Sequence, residues 1–453
     1  MNLPFNCFRL IMTASVLAIC DGATATTLHV PSEYATIQSA IDSSYAGDVV
    51  EVGPGIYTES LNFGGRAIIV RSTAGAIETV IDPVNGRCFT ASGQKGSSAR
   101  LEGFTLRGGS AGQGGGIYVQ SSSPTVANCV IIANSATSQG GGVYVESGNP
   151  KLINCTVSAN QGYQSGGGIY VSSGSISLEG CTVVGNLLTY PYYTSGGGLY
   201  FASTNATATI TGGEIRSNSA TYGGGIYGGT VSITNCAIGG NVSQYPGGDI
   251  GHGGGIDSSS VTITGGSLTD NMTDGSGGAL YNVSGQVNGC VISGNTAVLD
   301  GGAVWSSGAL TLSWCTLEEN TSSATGGAWY KSSGTAVVQS CQVKNNNALT
   351  TGGLWLGGGL TTVLGSTFCG NGVNITGQWV DAGANAFNVY CAPQCPGDST
   401  GDGLINGLDL GVMLGLWGPC SGAECIADFT GDGVVSGNDL SFLLASWGTC
   451  ADH

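Results

Sequence analysis

The sequence predicts an all-β solenoid, a parallel β-helix built of stacked coils, with a small helical calcium-binding module behind it. Three observations carry that prediction. A unit of 24 to 30 residues returns ten times between Gly114 and Asn371. Each position of the unit keeps one residue type, as stacked repeats require. A twelve-residue acidic loop then occurs twice between residues 391 and 453.

The unit opens with a glycine run and an apolar residue: Ile117, Val143, Ile169, Leu199, Ile226, Ile256, Leu280, Val304, Trp329 and Trp355. It closes on asparagine: Asn134, Asn160, Asn186, Asn218, Asn241, Asn271, Asn295, Asn320, Asn346 and Asn371. Five residues before each asparagine stands a small residue, as in Cys129, Cys155, Cys181, Cys290, Cys315 and Cys341, flanked by aliphatics such as Val126 and Ile131. Short β-branched runs, glycine-rich corners and no helical periodicity indicate strands. In-register stacking puts like residues about 4.8 Å apart. Asparagine suits the corners, because it tolerates left-handed backbone and bonds to neighbouring chain. The cysteine columns read as buried thiols, since side-by-side Cβ atoms give poor disulfide torsions.

The paired signals Gly-Gly-[Gly/Ala]-[Ile/Val/Leu] and [Ile/Val]-x-x-Asn resemble the repeats of bacterial polymorphic outer-membrane adhesins. The coils from about residue 28 to 390 resemble right-handed parallel β-helices of the pectate-lyase-like superfamily. That resemblance implies a right-handed helix and a shared fold for many functions, so it specifies no chemistry.

Composition narrows the functions. The 453 residues include 82 glycines and 9% charged residues, for a formal charge of −17. So few basic groups argue against nucleic acid or an anionic membrane as partner. Residues 1–25, with Arg9, an apolar run from Leu10 to Ile19 and the small-residue site Ala23-Thr24-Ala25, read as a signal peptide for bacterial-type export. No later stretch is apolar for long enough to span a bilayer. The mature chain is expected to be secreted or held at the cell surface.

Within residues 26–73, Tyr34, Ile37, Ala40 and Ile41 share a helical face and predict a short amphipathic helix capping the first coil. Gly47 to Val52 and Gly55 to Glu59 resemble the first coil of pectin methylesterases, without the Gln and Asp-Asp-Arg set that resemblance would need for catalysis.

Strand alternation turns the residue after each inward aliphatic outward. That column reads Tyr118, Tyr144, Tyr170, Tyr200, Tyr227, Asp257, Tyr281, Trp305, Tyr330 and Leu356. Such a column stabilises stacked strands and also offers a stripe for a polysaccharide or a protein. The step from asparagine to the next inward residue is 8 or 9 except at Asn186 to Leu199, which is 13, and Asn241 to Ile256, which is 15. These two insertions predict a raised patch of Tyr190, Tyr192, Tyr193, Tyr222 and Tyr245, the candidate binding residues.

Gly251-His252-Gly253 is similar to a polygalacturonase motif, and Asp249, His252 and Asp257 are the weak catalytic candidates beside it. The other acidic and basic motifs of that family do not follow. Hydrolysis needs two carboxylates about the scissile bond, and a lyase needs a base to remove a proton. The repeats offer only the scattered Lys151, Arg216, Lys331 and Lys344 as such bases.

From Cys391 the character changes. Asp398, Thr400, Asp402, Leu404, Asn406 and Asp409, then Asp428, Thr430, Asp432, Val434, Ser436 and Asp439, occupy the ligand positions of an EF-hand loop and predict two Ca2+ ions. Leu410, Met413, Leu414 and Trp417, repeated as Leu440, Leu443, Leu444 and Trp447, predict one helix after each loop. The duplication resembles a type I dockerin, which implies docking onto a cohesin-like receptor or another surface-anchoring protein. It departs from that family in Thr400 and Thr430 at position three of each loop, and in Gly407, Leu408, Gly437 and Asn438 at the recognition positions. Cys395, Cys420, Cys425 and Cys450 are disulfide candidates whose pairing stays open, and Cys391 has Cys369 as a partner within reach.

The expected protein is therefore an exported, adhesin-like binding β-helix of twelve or thirteen coils with a dockerin-like module. The alternative is a polysaccharide lyase or glycoside hydrolase carried by that module.

Overall fold

The structure, a computed structural model, describes residues 25–93, 99–245, 250–388, 391, 397–400, 404–420 and 425–449. The expected leader, except Ala25, and the candidates Asp249, Cys395, Asp402 and Cys450 lie outside the described residues.

The chain from Thr27 to Asn388 is a parallel β-helix with three long sheets. The first has 15 strands, from Thr27–Val30 to Val380–Asp381, the second 14, from Gly55–Tyr57 to Ala386–Asn388, and the third 13, from Leu61–Asn62 to Ile375–Gly377. Each strand pairs in register with its counterpart one coil on, as in Ile117 to Val143 to Ile169. The stack is longer than the expected twelve or thirteen coils, because the terminal coils lack the glycine and asparagine marks that the count used.

The inward columns form one continuous core. Cys88, Cys129, Cys155, Cys181, Cys236, Cys290, Cys315 and Cys341 are free, buried thiols that fill it as small apolar groups. The asparagine column is buried and fully bonded. Asn160 Nδ2 donates to the Ile131 carbonyl at 2.9 Å and to Asn186 Oδ1 at 3.0 Å, while Asn186 Oδ1 also accepts the Asn160 backbone N–H at 3.1 Å. The same pattern runs down the column, ending where Asn371 Nδ2 donates to Asn374 Oδ1 at 2.9 Å.

Two left-handed residues bracket the second-sheet strand of the repeats. The one before each asparagine is glycine in some coils, such as Gly185 at φ 62°, and Ala159, Ser217 or Glu319 in others, at φ 51°, 54° and 56°. A side chain there is strained.

One register differs from the expectation. Tyr330 pairs with Trp355 and Trp329 with Leu354, so in the last marked coil Leu354 points inward and Trp355 outward. Only two glycines precede Leu354, where the coil before has Gly326, Gly327 and Ala328 ahead of Trp329. This keeps a buried leucine in the core and lets the Trp355 ring stack on Tyr330, 4.3 Å away.

At the start, helix α1 (Ile37–Ser43) buries Ile37, Ala40 and Ile41 against the first strands, with Tyr34 packed alongside. Thr36 caps it by accepting the Ser39 N–H at 3.1 Å, and the Glu59 carboxylate accepts the Ile37 and Gln38 N–H groups.

At the far end, α2 (Gly407–Gly415) and α3 (Gly437–Ala445) flank a small core of Ile405, Met413, Ala427, Val435 and Leu443. Short antiparallel pairs link the copies crosswise: Leu404 with Thr449, and Gly418 with Val435. The expected apolar helix face is only half used. Met413 and Leu443 are buried, whereas Leu414, Trp417, Leu444 and Trp447 are exposed, the tryptophans standing past the helix ends. Cys369 is bonded to Cys391, and Cys420 to Cys425, which joins one copy to the other.

Two stability predictions follow from this geometry. Asn271→Leu strands the Asn241 N–H and one of its amide hydrogens, removes the amide donor to the Ile238 carbonyl and leaves Asn295 Oδ1 with only the backbone N–H of residue 271, and lowers stability by at least about 3 kcal/mol in chemical denaturation. A loss below about 1 kcal/mol contradicts the ladder's role. Ala159→Gly relieves left-handed strain and raises stability by about 0.5–1 kcal/mol, while Gly185→Ala lowers it similarly.

Candidate functional site

The corner between the second and third sheets carries the long insertions. After each asparagine a short strand runs to the glycine turn, and these strands stack in turn from Ser219–Ala220 through Val242–Ser243 to Met272–Thr273. The insertions rise between strand and turn, and their bases are fixed. The Thr194 and Thr221 hydroxyls lie 3.2 Å apart. The Asp274 carboxylate accepts the N–H groups of Tyr245 at 2.9 Å and Gly251 at 2.6 Å, clamping both ends of the second insertion.

The five predicted tyrosines fall into two touching sets. Tyr193 stacks between Tyr245, at 5.3 Å, and Tyr222, at 6.3 Å. Tyr190 meets Tyr192 edge to face at 5.6 Å and, equally, Tyr163 at 5.0 Å. Leu187 and Ile250 belong to the two insertions, whereas Tyr163, Met272, Val298 and Leu349 were not expected here; these exposed apolar residues of the corner are 43–81% exposed. The signal was present: Leu187 and Met272 directly follow a column asparagine, and Tyr163, Val298 and Leu349 stand three residues after one.

Beside this corner runs the outward aromatic column of the third sheet. Tyr118, Tyr144, Tyr170, Tyr200 and Tyr227 stack at 5.0–5.6 Å with planes within 17°. Arg87 closes the first end, its guanidinium 4.3 Å from the Tyr118 ring centre. At the sixth position Asp257 replaces the ring, and His252 enters from the insertion to stack on Tyr281 at 4.1 Å. Trp305, Tyr330 and Trp355 continue the column. The rings face one another, so the column shows solvent mainly its edges.

The catalytic candidates have structural partners. Asp257 is buried, its Oδ1 accepts the Ser258 hydroxyl at 2.6 Å, and burial pushes its pKa up to about 7. His252 Nδ1 accepts the Ser276 N–H at 3.4 Å, and burial lowers its pKa against the opposing pull of Asp274. The basic candidates are also engaged. Lys151, Arg216 and Lys344 pair with Glu179, Glu214 and Glu318, and Lys331 is buried in the core with its ammonium donating to the Gly358 carbonyl. Arg66, Arg71, Arg100 and Arg107 are paired with carboxylates as well. Among the described residues, every lysine and arginine is thus committed to a carboxylate, a ring or a buried carbonyl.

In the acidic module the second loop brings carboxylate oxygens of Asp428, Asp432 and Asp439 within 4.8 Å of one another. Backbone wraps the first of them: Gly431 and Gly433 each donate to Asp428 at 2.7 Å. Asp439 is buried, and burial alone would raise its pKa. The N–H groups of Ser436 and Thr430 and the Thr430 hydroxyl outweigh burial and hold it below the usual carboxylate range. Asp409 in the first loop has the same partners in Asn406 and Thr400 and the same downward shift. The threonine at position three therefore ties the twelfth-position carboxylate to the loop. The second loop's converging donors are all hard oxygens, which fit a calcium ion. Cys420, Cys425 and Asp428 also cluster, but the two sulfurs are joined to each other.

The fold is that of a right-handed parallel β-helix. The family described as right handed beta helix region matches residues 89–255, in line with the right-handed rule for crossovers between parallel strands. No curated protein and no solved structure matches the chain.

Asp257 makes stability depend on pH. Its carboxyl titrates higher folded than in the unfolded chain, so its contribution is full below about 3.8 and is lost as pH rises through about 7. Asp257→Asn is expected to flatten the pH dependence of the unfolding midpoint in that window and to stabilise the protein at pH above it. An unchanged profile contradicts the shift.

Proposed function

We propose that the chain is an exported, non-catalytic binding protein whose β-helix presents the tyrosine-rich corner to an extracellular ligand. The acidic module anchors or docks it, and α1 closes the first coil. The observation that supports this reading best is the pairing of an exposed aromatic edge with basic groups that, among the described residues, are all committed. A binding surface needs the first, and a lyase needs a free base. The alternative, a polysaccharide lyase or hydrolase, also needs a compact acid–base cluster that the described residues do not supply. The test is turnover: the full chain with calcium is incubated with plant and microbial polysaccharides, following new reducing ends and unsaturated products. No product is expected; product formation abolished by Asp257→Asn or His252→Ala establishes the enzyme instead.

The module's two loops hold one calcium ion each in this reading, through Asp398, Thr400, Asp402, the Leu404 carbonyl, Asn406 and Asp409, and through their equivalents in the second loop. Bound calcium neutralises clustered carboxylates and so orders the segment. The exposed pairs Leu414 with Trp417 and Leu444 with Trp447 then form a surface for a cohesin-like or anchoring partner. Calorimetry of the full chain is expected to show two ions bound, with Asp432→Asn weakening one by at least about tenfold. Absence of calcium-dependent heat contradicts this assignment.

A further inference from the structure

We infer that the ligand of the corner is an uncharged, extended polysaccharide, lying parallel to the solenoid axis with about one sugar per coil. This rests on the binding reading above and names its ligand class. Charge is the first argument. The chain carries −17, the acid Asp274 stands at the corner itself, and every described lysine and arginine is already engaged. A polyuronate would meet repulsion with no free cation among the described residues to offset it.

Ring geometry is the second. The long column uses its faces on itself, but Tyr163, Tyr190 and Tyr192 meet edge to face. Only one ring of an edge-to-face pair gives up a face, so this triad keeps π faces open to solvent, and Tyr163 and Tyr192 are 43% and 54% exposed. The C–H face of a pyranose packs on such a ring while its hydroxyls stay hydrated. Periodicity is the third. Tyr163, Leu187, Ile250, Met272, Val298 and Leu349 follow one corner of the solenoid in six of the eight successive coils from Asn160 to Asn346, each coil advancing by about 4.8 Å. A fully extended β-1,4-linked glycan advances by a comparable distance per sugar, so neighbouring sugars meet neighbouring coils.

The test is affinity electrophoresis of the full chain through gels containing hydroxyethylcellulose, xylan or glucomannan, and through gels containing polygalacturonate or alginate, at low and high salt. Retention by an uncharged β-1,4-linked polymer, unaffected by salt, is expected. The double variant Tyr163→Ala/Tyr192→Ala weakens it by at least about tenfold without shifting the unfolding midpoint. Trp314→Ala, which removes an exposed ring from the corner between the first and second sheets, leaves retention unchanged. Retention only by the uronates, falling with salt, overturns the ligand class and leaves the binding reading standing. Neutral retention that survives the double variant overturns the location. Retention by no polysaccharide overturns the glycan ligand altogether and turns the binding reading towards a protein partner.

Discussion

A buried column of carboxamides makes the rest of this structure possible. As at Asn160, the side-chain amide donates twice, the backbone N–H donates once and Oδ1 accepts twice, between one coil and the next. Unpaired, those groups would be costly in a dry interior; paired, they fix where every coil turns. A chain with 82 glycines loses much entropy on ordering, and the turns that use them leave no alternative. At Gly141 an added Cβ would lie 2.4 Å from the Gln161 backbone. The asparagine sets the corner, and the glycines let neighbouring coils close upon it.

That rigid corner holds in place the insertions that we propose carry recognition. Their stems are held by Asp274, Thr194 and Thr221, so the tyrosines are placed by the scaffold rather than by each other. The same scaffold separates two uses of aromatic rings. In the third sheet the rings lie face to face and stiffen the stack; on the insertions they lie partly edge to face and stay open. His252 and Asp257 belong to the first use, since one fills the gap that the other leaves.

Much of this was legible in the sequence. One residue type per column revealed the sheets, the core and the asparagine ladder, and counting between marks located both insertions. The register at Trp355 was misread because a two-glycine turn looks like a three-glycine one when only the following aromatic is scored. The engagement of the basic residues was invisible, since Lys151 and Glu179, or Lys344 and Glu318, meet only after stacking brings separate coils together. Lys331 is the extreme case: its position in the unit is that of Val145 and Val171, and only the fold shows that its stem lies in the core. The exposure of Trp417 and Trp447 escaped a helical-wheel reading, because both helices stop short of them.

The most direct test of the central claim, that recognition sits on the insertion corner, is hydrogen–deuterium exchange on the full chain with and without a retained polysaccharide. The account predicts protection confined to this corner, at residues 161–163, 187–195, 244–252, 272–274, 296–298 and 347–349, with the opposite corner and the acidic module unchanged. Protection centred on the first sheet, or on the acidic module, would contradict it.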